Sequence, residues 1–154
     1  QAGLMMGDPV WVLPQSEVPG VPFVALASEE LNSGDWSTPI IFRMVNAISP
    51  SGNGTFSMFT TDSGGAPTFH FSSVGDGSTA NSNQFTSNFA HDHVNWAFTE
   101  PGTWTVEVEA FGTHNALGAL STTETMTFQV VPEPSSSALV LLGASTLLLR
   151  RRVA

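Results

Sequence analysis

From residue 103 to 110 the chain alternates without a fault. Trp104, Val106, Val108 and Ala110 fall on one side of an extended backbone, and Thr105, Glu107 and Glu109 on the other. A side-chain period of two fits a β-strand with one buried and one wet face. Residues 122–130 repeat the pattern, with Met126, Phe128 and Val130 directed inward. Shorter strand signals precede these at residues 10–13, 23–27, 40–45, 55–61 and 68–71, each bounded by Pro, Gly, Ser or Asn. Residues 72–90 are polar and rich in Gly and Asn, and are expected to form a long loop. Residues 93–99, the turn Glu100-Pro101-Gly102 and residues 103–110 read as an antiparallel hairpin. No segment before residue 132 carries a helical period. Many short strands separated by turn chemistry predict an antiparallel immunoglobulin-like β-sandwich over residues 1–131.

Composition narrows the function classes. The chain has no Cys, so neither disulfides nor thiol chemistry are available. Before residue 132, Arg43 is the only Lys or Arg, against twelve carboxylates, a formal charge of −11. Such a surface repels nucleic-acid phosphates and attracts cations. Eleven Phe and four Trp supply apolar area for a core. The abundance of Ser, Thr, Asn and Gly, with few charges, suits an extracellular module. Residue 1 is Gln, and no cationic, apolar leader precedes the first strand, so the chain is expected to be truncated at its N-terminus.

Residues 132–154 are of another kind. Pro132-Glu133-Pro134 is followed by three serines, an uncharged apolar run at 138–149, and Arg150-Arg151-Arg152. This order resembles the PEP-CTERM sorting signal of Gram-negative bacteria, which an exosortase-type membrane protease recognises and removes. The apolar run favours a helix in lipid, where each backbone amide must be bonded internally. Twelve helical residues reach ~18 Å, short of the ~30 Å hydrocarbon core. A single weak transmembrane anchor is therefore expected, its gap narrowed by the serines and by snorkelling arginines. The positive-inside tendency places the arginines in the cytoplasm and residues before 132 outside. An ordinary buried helix with a basic cap is the bland alternative, but only Ser145 and Thr146 interrupt the run near its end.

Two segments of the body also resemble a known domain. Residues 7–15, Gly-Asp-Pro-Val-Trp-Val-Leu-Pro-Gln, are similar to the opening of the surface-anchored repeat domain of actinobacterial wall proteins, the choice-of-anchor M domain. Residues 91–104 resemble its second signature, a His-x-His-x-Asn-Trp run leading into a Pro-Gly turn, with Trp104 where tyrosine is usual. The resemblance spans roughly residues 5–131 and implies a surface module with an exchangeable anchor. Some members of that family are associated with metal-type transporter systems.

His91 and His93 lie two apart at a strand entrance, so both side chains leave the same face. Two imidazoles there can reach one metal ion at ~2.0–2.1 Å. With His70 as a third ligand, and Asp92 or water beside them, they make a candidate Zn or Cu site. Asn95 and Asp76 are candidate outer-shell acceptors. His114 is expected in a loop after the second hairpin strand. The competing reading has His91 and Asn95 bonding backbone groups where the loop rejoins the sheet, and His93 packing on Trp96.

Other constellations are weaker. The sequences at 62–65 and 76–78 are turns before they are calcium sites. Glu107 and Glu109 share one strand face, unlike the facing carboxylates of a glycosidase. No Gly-x-Ser-x-Gly elbow occurs. Trp36 is the one loop-borne Trp suited to stacking on a sugar. The leading expectation is a non-enzymatic module, exported through an inner-membrane intermediate to the cell surface or extracellular matrix. Its expected partners are an exosortase-type protease, the inner membrane and extracellular polysaccharide, and not nucleic acid. Metal binding is the alternative; a metal-dependent enzyme and a carbohydrate adhesin rank behind it.

Overall fold

The computed structural model describes residues 8–74 and 83–132. Over these it is all-β and antiparallel. The strands are β1 (Trp11–Leu13), β2 (Ala25–Ala27), β3 (Ile40–Ile48), β4 (Phe56–Thr61), β5 (Pro67–Ser72), β6 (Gln84–Ser87), β7 (His91–His93), β8 (Asn95–Phe98), β9 (Gly102–His114) and β10 (Gly118–Val130). One four-stranded sheet runs β1-β8-β4-β5, a second runs β10-β9-β3-β6, and β2 and β7 pair as a two-stranded ribbon.

Alternation explains the long strands. β9 and β10 pair without interruption from His114↔Gly118 to Gly102↔Val130. Trp104, Val106 and Val108 are buried, while Thr105, Glu107 and Glu109 are more exposed. The inner faces of both four-stranded sheets share one aromatic core. Phe98 of β8 meets Trp104 of β9 edge-on, with ring centroids 5.4 Å apart, and Trp96 lies 5.5 Å from Phe128 of β10. The edge-to-face contact of Phe98 with Trp104 adds to the stabilisation from burial itself.

Two expectations need correction. Glu100-Pro101-Gly102 does not close a hairpin. β8 pairs with β1 and β4, whereas β9 pairs with β3 and β10, so these residues carry the chain from one sheet to the other. Gly102 has φ 121°, and a Cβ there would lie 2.7 Å from Pro50 Cγ. The loop before β4 grips the crossover. Glu100 accepts from Ser51 N at 3.0 Å and from Ser51 Oγ at 2.7 Å, and the Trp104 indole donates to the Glu100 carbonyl at 2.9 Å. Second, the expected loop at 72–90 contains β6, which joins the edge of β3 and sends Phe85 into the core. Asp76 and its turn lie outside the described residues, as does the tail from Glu133 onward.

A bulge sets one side chain of later importance. β4 pairs with β5 as Met58↔Phe71 and then Phe59↔Phe69, leaving His70 as the extra residue. Bulges re-aim the side chain they carry. Here the His70 ring stands edge-on to Phe85 of the opposite sheet, 4.9 Å between centroids.

Candidate functional site

The segment 91–104 does several structural jobs before any chemistry. β8 pairs with β1 as Leu13↔Trp96, Val12↔Ala97 and Trp11↔Phe98, so the two segments singled out by resemblance lie side by side. At the start of β8, Asn95 clamps the chain after β1. Its Oδ1 accepts from Gln15 N at 2.8 Å, and its Nδ2 donates to Gln15 Oε1 and Thr61 Oγ1, both at 3.1 Å. Gln15 Oε1 also accepts from Thr61 N at 2.8 Å. Asn95 is therefore a structural amide and not an outer-shell acceptor for the histidines. The pairing of Gln15 with Asn95 leaves no local signal in the sequence, since it spans eighty residues of chain.

β7 presents its three side chains alternately. Asp92 turns to the protein side, where its Oδ2 accepts from Ser87 Oγ at 2.7 Å. That uses the Ser87 hydroxyl proton, so Ser28 is the donor in the 2.8 Å contact between Ser28 Oγ and Ser87 Oγ. Both serines are buried, and this short relay locks the β2–β7 ribbon onto β6. Asp92 is thereby committed away from His91 and His93, which corrects the expectation that it could join them.

His91 and His93 do share a face, their ring centroids 4.8 Å apart and the planes tilted by 47°. His91 Nδ1 lies 2.8 Å from Glu29 Oε1. His93 Nδ1 lies 3.3 Å from the Val24 carbonyl, and its ring stacks on Phe23, not on Trp96, at 3.5 Å and 4°. Carboxylate and carbonyl oxygens only accept, so both rings donate through Nδ1. Neutral rings held this way carry their lone pairs on Nε2.

His70 does not join them. Its Nε2 bonds Thr60 Oγ1 at 3.0 Å, and its Nδ1 is buried without a partner. Burial pushes its pKa below the ordinary 6.5. Among the described residues, no group of three or more His, Cys, Asp or Glu stands close enough to hold a metal ion. His114 is the last residue of β9 and not a loop residue; its Nδ1 accepts from Ala116 N and Leu117 N, capping the β9–β10 turn. Trp36 is half-buried, edge-on to His114, with Gly112 against its ring. A Cβ there would approach Ile40 Cδ1 to 3.0 Å and Trp36 to 3.1 Å, so a larger residue would have to displace those side chains by a few tenths of an ångström.

An apolar groove of about 790 Å³ runs between β1 and β10. Trp11, Leu13, Val21, Phe128 and Val131 line it, and no titratable side chain reaches it. It borders the point where the chain leaves β10 for Pro132. Among the described residues no helix is long and apolar enough to cross a membrane; the apolar run at 138–149, with Glu133, Pro134 and the terminal arginines, lies outside them. No protein-family model, curated protein or solved structure matches the chain.

Proposed function

We propose that the chain is an exported, non-enzymatic surface module of immunoglobulin-like type, delivered by a detachable C-terminal sorting signal. The observation that carries this reading is where the body stops. Among the described residues Val130 is the last of the core, paired with Gly102, and Val131 is already 66% exposed. Pro132-Glu133-Pro134 begins one residue later. Two prolines lack the N–H groups that a β-ladder needs and disfavour helix at the residues before them, which suits a protease recognition sequence. Cutting there leaves the described strands of both sheets intact.

The non-enzymatic part of the reading is supported by the polar networks. The Ser28–Ser87–Asp92 relay has both hydroxyls buried and contains no histidine, and Glu100 is spent on Ser51. Among the described residues these groups are engaged in holding the fold. The test is replacement of Pro132, Glu133 and Pro134 by Ala in a host with an exosortase-type protease. Full-length protein accumulating in the membrane fraction is the expected result; normal maturation of the variant contradicts the reading.

A further inference from the structure

We propose that His91 and His93 form an open, two-imidazole site for a divalent transition-metal ion, Cu(II) held ahead of Zn(II). The ribbon brings the two ring centroids within 4.8 Å and engages each ring through its Nδ1. A ligating imidazole almost always donates its second ring N–H to a carboxylate or a backbone carbonyl, which fixes the tautomer and raises the basicity of the ligating nitrogen. His91 has the carboxylate, Glu29, and His93 has the carbonyl of Val24. Neither interaction uses Nε2, so each ring is left with one lone-pair nitrogen of the same kind.

Neighbouring contacts reduce the freedom of the pair. His93 is sandwiched between Phe23 at 3.5 Å and His91 at 4.8 Å, and β7 is fixed from below by the Asp92–Ser87–Ser28 relay. The cross-strand partners of His93 and His91 in the ribbon are Ala25 and Ala27, whose side chains are single methyl groups. Imidazole nitrogens favour Cu and Zn over the oxygen-seeking Ca and Mg, and Cu(II) leads the divalent series. The acidity of the body adds a long-range attraction for any cation.

Two protein ligands leave most of the coordination shell to water. The site therefore loads and unloads with the external concentration of the ion and contributes nothing to folding in its absence. In this arrangement Glu29 is a positioning residue: it acts through His91 Nδ1. His70 takes no part.

The test is Cu(II) titration of the full chain in detergent micelles, read by electron paramagnetic resonance at one equivalent. Wild type and H70Q are expected to show coupling to two imidazole nitrogens, and H91N and H93N to one. E29Q is expected to retain both nitrogens while binding about tenfold more weakly. Circular dichroism of each variant identifies loss of fold, and E29Q leaves every strand residue in place. A wild-type spectrum without two-nitrogen coupling overturns the proposal, as does an H91N/H93N protein that binds like wild type. Loss of a nitrogen in H70Q also overturns it.

Discussion

Glu100 reaches from the crossover between the two sheets to Ser51, accepting from its backbone N–H at 3.0 Å and from its hydroxyl at 2.7 Å. The pair joins the loop before β4 to the turn that starts β9. It also explains Gly54, where a Cβ would lie 2.7 Å from the Glu100 carboxyl carbon. The Ser51 backbone bond, followed by its hydroxyl, holds the Glu100 carboxyl below its ordinary value of 4.5. Because the folded form binds its proton less readily than the unfolded form, the stabilisation is complete above pH 4.5. It is lost as the pH falls through the lowered value. Thermal melts across that range are expected to show a smaller acid-induced fall in Tm for E100Q than for wild type.

His70 sets a second, less acidic limit. Burial favours its neutral ring, so the folded state takes up a proton only below 6.5. Its contribution is full above that pH and declines as the pH falls, since the unfolded chain gains the proton first. Replacing His70 by Gln is expected to flatten the stability profile immediately below pH 6.5, measured by urea denaturation at a series of pH values.

The crossover itself can be broken at one atom. Gly102→Ala forces a side chain into φ 121° and against Pro50. The backbone conformation alone costs about 1–3 kcal/mol for a non-glycine residue. Urea unfolding of G102A is expected to show at least that loss, with no change in Cu(II) binding.

Asn95 and Gln15 supply a test of coupling. Each removal leaves a buried or half-buried polar partner unmet, at about 1–3 kcal/mol. A double-mutant cycle with N95A and Q15A is expected to return a coupling energy of about 0.5–3 kcal/mol. Additive losses would mean that the two amides act separately.

The features written in sequence were those with a local cause. Alternation in β9 and in the inner half of β10 placed Trp104, Val106, Phe128 and Val130 inward, and the two-residue spacing put His91 and His93 on one face. What escaped depends on distant chain. A Pro-Gly turn looks the same whether it closes a hairpin or changes sheets, and only the pairing of the strands on either side distinguishes them. β6 contributes one core residue, Phe85, from an otherwise polar stretch, too weak a signal against its surroundings. His70 was misplaced because a bulge, invisible in a six-residue strand, turns it toward Phe85. Asp92 had no visible destination until Ser87 was brought beside it.

The described body ends its core at β10, and the segment from Pro132 to the C-terminus is proposed to be a removable address. Intact-mass determination of the protein recovered from its native cell tests that division directly. A mature species ending at or near residues 132–134, outside the cytoplasm and without the terminal arginines, is the predicted result. A cytosolic species that retains Arg150, Arg151 and Arg152 would contradict it.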